Sequence, residues 1–355
     1  MEGVDFSQIW EQYRFGEVQR KLEEMFPEFS FSLEDMLSRI MSGDVLGALA
    51  DGLKSLLQGM SAEVESIRNV FVLLLVLGII SALLSHFTGV FENHQVADIS
   101  FYFVYLLLIA VLFKCFRESA QTTGEALSNI VDFIKIFIPA YFVAVGFAGG
   151  TLSAVAGYQM VFILIFFVEQ VLLAIVVPLI YSYVMLTVIN GVWMEERLGI
   201  LLDFLKKIIA GGLKTAVGIV TGISVVQSMI TPVIDSVKTG GVQKAVSMIP
   251  GIGNVADGMV EIMMSSAVLI KNSIGVVFVI FLLVVCMVPL LKLFVIAGCL
   301  KVSAAMMGIV SDKRITNCTN KVGEGTFMLF RTTGTAMLLF IILIAIAAYS
   351  TNRGI

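Results

Sequence analysis

Apolar residues in this chain form long uncharged runs separated by short charged clusters, and that rhythm predicts membrane-crossing helices. Asn69–Phe91 is 23 residues long, between Arg68 and Glu92. At ~1.5 Å per residue such a run crosses the ~30 Å hydrocarbon core of a bilayer. Ile99–Phe113 offers only 15 residues and must borrow neighbours or let Lys114 snorkel to the interface. Ile136–Met194 runs for 59 residues with Glu169 as its single charge, enough for two spans, or three short ones. Pro139, Gly149-Gly150 and Pro178 are the positions at which it can bend or turn. Thr215–Ile234, Asn272–Leu291 and Thr332–Asn352 complete the set at 20, 20 and 21 residues.

The expected fold is therefore all-α, a polytopic helical membrane protein with about seven transmembrane helices (six to eight), supplemented by interfacial amphipathic helices. Two regions divide the chain: an acidic N-terminal region, 1–68, and a helical transmembrane domain, 69–355. The first carries 13 acidic and 6 basic residues. From Leu33 to Met60 its apolar residues fall on one helical face, broken at Ser42-Gly43-Asp44, where Asp44 is placed to cap the second piece. This pattern fits an interfacial helix or a small hairpin packed on itself; its apolar stripe leads straight into the first span, which favours the former. Leu198–Ile209 shows the same amphipathic logic, with Asp203, Lys206 and Lys207 opposite its leucines and isoleucines.

Composition agrees with the runs. The 355 residues are 58% hydrophobic and 14% charged, against about 25% charged in soluble domains. A mean hydropathy of +0.97 leaves too little polar surface to cover a soluble core. Net charge is −4, which offers no basic field for nucleic acid. The four cysteines stand apart and the two histidines flank the first span, so neither a metal-ligand spacing nor a disulfide framework is present, and no cofactor is expected. The cysteines read as small apolar fillers. Met1–Trp10 has no basic stretch followed by an apolar one and does not read as a secretory signal.

Lysine and arginine placement sets an orientation. With one kinked helix through Pro178, 19 basic residues fall in segments on the side of the N-terminus and 4 on the other, so the N-terminus is expected in the cytoplasm. An eighth span through 179–194 would reverse half of that map. Residues 178–234 and 289–347 also echo each other. Lys214…Gly218…Pro232 has the spacing of Lys271…Gly275…Pro289, and Val177-Pro178-Leu179 is matched by Val288-Pro289-Leu290. Repeated spans are frequent in transporters and channels.

Candidate chemistry is sparse. Glu169 is either a pore-lining or ion-coupling group, or the marker of an interfacial turn between two short spans. Gly149 and Gly150 permit close helix approach or a bend. Segment 238–272 holds Pro250-Gly251-Ile252-Gly253, Asp257, Lys271 and Asn272 between two spans. It reads as a re-entrant loop or as an ordinary interfacial one. Nucleophile, base and paired-carboxylate arrangements are not assembled, so an enzyme is not expected.

Met248-Ile-Pro-Gly-Ile-Gly-Asn-Val-Ala-Asp257, followed by Val268-Leu-Ile-Lys-Asn272-Ser-Ile-Gly275, resembles the stage III sporulation protein AE family of endospore-forming bacteria. The likeness extends to Val96–Tyr102, Asn129–Ile134 with Pro139, Gly149-Gly150, and the lead-in Phe29–Leu37 with Ser42-Gly43-Asp44. The resemblance implies a membrane subunit of a secretion-like channel complex between mother cell and forespore, placed in the mother-cell-derived outer forespore membrane. Its implied partners are the other stage III A sporulation membrane proteins, an associated ATPase, and a ring made by the forespore, in a hetero-oligomeric complex within the bilayer. Family members commonly begin with a signal-like segment, and this chain departs from that pattern. The rival expectation is a stand-alone secondary transporter using Glu169 and the 240–272 loop.

Overall fold

The computed structural model describes residues 61–90, 94–147, 152–192, 197–246, 286–309 and 311–351, with a few single positions before residue 61 and two, 276 and 283, ahead of 286. Among these residues the elements are helical: α1 (Ser61–Val90), α2 (His94–Phe147), α3 (Leu152–Val171), a π-turn (Leu172–Val176), α4 (Val177–Val192), α5 (Gly199–Val246), α6 (Cys286–Met307) and α7 (Lys313–Thr351). Among the described residues three stretches are long and apolar enough to cross a membrane: Phe162–Val192, Cys286–Met307 and Lys313–Ile342. A shorter apolar helix covers Ile67–Leu83. Outward-facing Val72, Leu73, Val76 and Ile79 on α1, with Phe103, Leu106 and Leu107 on α2, give the bundle an apolar exterior that suits lipid.

Several sequence boundaries move. Ile99–Phe113 is not a short span closed by a loop, because α2 continues unbroken for 54 residues, through Pro139. At ~1.5 Å per residue that is about 80 Å, far more than a bilayer requires. Residues 114–135 are thus helix, and their outer side carries Lys114, Arg117, Glu118, Gln121 and Glu125. Gly149 and Gly150, expected as a bend or a close approach, lie outside the described residues. Leu198–Ile209 is not a separate interfacial helix but the opening of α5, which runs on through Thr215–Ile234. Segment 292–331 contains most of α6, a tight turn and the first half of α7. Of the expected Asn272–Leu291 span, the residues before Cys286 lie mostly outside the described set, and 286–291 belong to the candidate span Cys286–Met307.

Pro178 bends nothing into two spans. The helix passes through it by widening: the Val177 N–H reaches back five residues to the Leu172 carbonyl. A proline has no N–H and its ring clashes with the carbonyl four residues back, and a π-turn placed just before it relieves that clash. Residues 179–194 therefore do not form a span of their own, since α4 continues α3. In the N-terminal region the expected cap is present: the Gly47 N–H donates to Asp44 Oδ1 at 3.0 Å.

The core is organised around α7. Thr319, Val322, Thr326, Leu329, Thr333, Ala336 and Phe340 are all fully buried at alternating spacings of three and four. That is a heptad seam, which keeps one helix face against its neighbours over about six turns. A larger share of α7 is buried (56%) than of the other two candidate spans (39% each), which makes it the central helix. The α2 helix runs parallel to α7: Arg314 lies over the Phe101 ring at 3.5 Å, and Phe133 meets Phe340 edge-on at 5.6 Å. The α4 helix runs the other way, with Tyr183 beside Glu324 and the Val188 carbonyl bonded to the Tyr105 hydroxyl at 2.9 Å. A Cβ at Gly325 would meet the Val184 side chain, so glycine is what allows α4 and α7 to come this close.

Candidate functional site

Fully buried polar side chains recur through the bundle: Ser119 and Thr123 on α2, Thr187 on α4, Ser303 on α6, and Thr319, Thr326, Thr332 and Thr333 on α7. Most are chemically spent. Thr319, Thr326, Thr332 and Thr333 each donate to the carbonyl four residues earlier, at 2.9–3.2 Å, and Ser119, Thr123 and Thr187 do the same. Such back-bonding satisfies a hydroxyl inside its own helix and leaves it to act as a compact packing group.

Glu169 is different. It sits on α3, three residues before the π-turn, and is 0% exposed. Neither carboxyl oxygen has a hydrogen-bond partner among the described residues. The α3 helix packs against α5, α7 and α2, and the thiol of Cys286 at the start of α6 is close enough to interact with the carboxyl electrostatically. Glu169 therefore lies in mid-helix within a candidate span, which overturns its reading as the marker of a turn.

A second polar cluster joins three helices. Lys206 Nζ of α5 donates to Glu324 Oε2 of α7 at 2.8 Å, and the Tyr183 hydroxyl of α4 donates to the same oxygen at 3.2 Å. The ammonium is about half exposed, so the pair faces the edge of the bundle. Nothing in the sequence reading singled out Tyr183 or Glu324. One signal was available: Asp312 and Glu324 are the two acids in segment 292–331, among six basic residues. Asp312 has a local task, accepting from the Arg314 N–H at 2.7 Å as the N-cap of α7. Asn190 holds the α4–α5 turn in the same manner, its Oδ1 accepting from the Leu198 N–H at 2.8 Å. A shallow cleft opens between α1, α2 and α6, lined by Ile67, Val70, Cys115, Glu118, Ile296, Cys299 and Leu300.

Of the residues expected to form a site, only Glu169 is among those described. Gly149, Gly150, Pro250, Gly251, Gly253, Asp257, Lys271 and Asn272 lie outside them, and so does the 240–272 loop beyond the end of α5 at Val246. Among the described residues no group of three or more histidine, cysteine, aspartate or glutamate side chains is arranged to hold a metal ion.

Comparison with known proteins bears on the whole arrangement. The family model described as stage III sporulation protein AE matches residues 31–351, from the amphipathic region to the last turn of α7. The chain belongs to the stage III sporulation protein AE family. The stage III sporulation protein AE of Bacillus subtilis (strain 168) is 22% identical over 323 residues, which cover 90% of this chain and 81% of that protein. No solved structure matches. The resemblance first carried by Met248–Asp257 and Val268–Gly275 thus holds across nearly the full length. Membership ties the chain to sporulation, and the helices of this family member supply its membrane character.

Proposed function

We propose that this protein is the permease-like membrane subunit of a sporulation transenvelope channel, a secretion-like complex between mother cell and forespore needed for late forespore development. On this reading it resides in the mother-cell-derived outer forespore membrane. It assembles there with the other stage III A membrane proteins, an associated ATPase and a ring made by the forespore, and catalyses no reaction itself. The observation that carries the proposal is the family match over residues 31–351 on a chain whose described helices are built for lipid. The back-bonded hydroxyls of α7 support a packing and scaffolding role, since they present no free nucleophile to the interior.

Affinity capture of the full chain from sporulating cells, in mild detergent, tests this. Recovery of other small sporulation membrane proteins and an ATPase is expected; recovery of the chain alone, with normal spores in its deletion strain, would sink the proposal. One observation favours a second reading, that of a stand-alone secondary transporter. Glu169 is an acid held inside the bundle without a protein partner, the kind of group an ion-coupled carrier uses. Normal sporulation of a Glu169→Gln strain would count against it.

A further inference from the structure

We infer that Glu169 is a binding site for a small monovalent cation, a proton or an alkali ion, inside the helix bundle beside the π-turn. The inference rests on a balance of donors and acceptors, and it stands whether the chain works as a complex subunit or alone. The Glu169 carboxyl places two acceptor oxygens at zero exposure, and no described N–H or O–H reaches either. One turn further on, Pro178 brings no N–H to the carbonyls of the widened segment Leu172–Val176, so this stretch of helix is one backbone donor short. Acceptors are therefore in excess, and the complementary ligand is positive. Among the described residues an anion or a neutral acceptor finds no donor here.

The described elements packed around it do not supply that charge. From α6 the facing titratable group is the Cys286 thiol, a weak donor that carries no positive charge. From α2, α5 and α7, the helices packed on α3, no described lysine or arginine pairs with the carboxyl. Lys206, the cation of the other polar cluster, is engaged by Glu324 beside Tyr183, which stands a further ~20 Å along the same helix at ~1.5 Å per residue. Removing a charged carboxylate from water without a counter-charge is unfavourable, and a bound cation offsets that cost. The neighbouring π-turn adds a structural correlate, because such single widened turns occur preferentially at functional sites.

The test uses the full chain, purified and reconstituted in nanodiscs of zwitterionic lipid, and treated with an apolar carbodiimide that reacts with protonated, lipid-shielded carboxyls. Labelled residues are located by peptide mass spectrometry. If the cation is a proton, Glu169 is modified at acid pH in sodium-free buffer and loses that reactivity as pH rises. If it is an alkali ion, sodium at fixed pH suppresses the modification. Infrared difference spectra should show a protonated-carboxyl C=O band with the same dependence, absent from Glu169→Gln and retained in Glu118→Gln, which removes an exposed acid. Should Glu169→Gln fail to fold, labelling of the unaltered chain still decides. A Glu169 that is unreactive throughout, or equally reactive at every pH and sodium concentration, overturns the inference.

Discussion

Single residues in this bundle differ mainly in whether their polar atoms are satisfied locally. Asn190 serves the Leu198 N–H across the α4–α5 turn, so Asn190→Ala strands a half-buried donor. The expected loss is about 1–2 kcal/mol, read as a lower midpoint of thermal unfolding in detergent, with Asn190→Asp retaining part of the cap. Thr326 makes the opposite case. Its hydroxyl bonds to its own helix at the Val322 carbonyl. Thr326→Val keeps the shape and removes the donor, so stability should change by less than about 1 kcal/mol; a collapse of the fold would show that the hydroxyl bonds elsewhere. Lys206 and Glu324 are partly in solvent, and exposed pairs contribute at most about 1 kcal/mol. Their value is directional: Glu324→Lys should weaken the α5–α7 contact, and the added change Lys206→Glu should restore it.

Between helices, the decisive quantity is how closely two backbones approach. Gly325 faces Val184, with Phe116 and Tyr183 side-chain carbons 3.7 Å from the position a Cβ would take. Gly325→Ala must push α4 away from α7, at a cost of about 1–3 kcal/mol typical of overpacking. Val184→Ala in the same molecule should recover most of that loss in thermal unfolding, which a purely local helix-propensity effect at position 325 would not allow. Gly191 plays the same part for Tyr105, whose hydroxyl occupies the space a Cβ would need. The sequence marked neither glycine, because a close approach depends on the partner helix.

Across the whole molecule, burial predicts which native thiols can be reached. Cys115, Cys286 and Cys318 are buried, while Cys299 is partly exposed at the cleft between α1, α2 and α6. A hydrophilic maleimide should modify Cys299 first in the folded protein, and the other three only after denaturation, as read by mass spectrometry. Single-cysteine scanning of residues 94–98 and 311–313 checks the parallel course of α2 and α7: with Arg314 over the Phe101 ring, both segments should be labelled from the same side of the membrane, and labelling from opposite sides would overturn that arrangement.

Uncharged runs determined the helical class and the membrane setting, and the break at Ser42-Gly43-Asp44 the Asp44 cap, because each depends on residues within a few turns of one another. The segment around Pro250 carried the family in the same local way, through identities in order. Helix extents escaped the same reasoning. Charged residues such as Lys114 and Lys206 read as the limits of spans, yet a helix longer than the bilayer accommodates them without ending. Only the packed bundle decided that α7 is central, since its threonines lower its hydropathy and hide their hydroxyls in its own backbone. The position of Glu169 belongs to the same category. Its isolation was visible as one charge in 59 residues, but whether it faced a turn or an interior without donors depended on three helices brought together from distant parts of the chain.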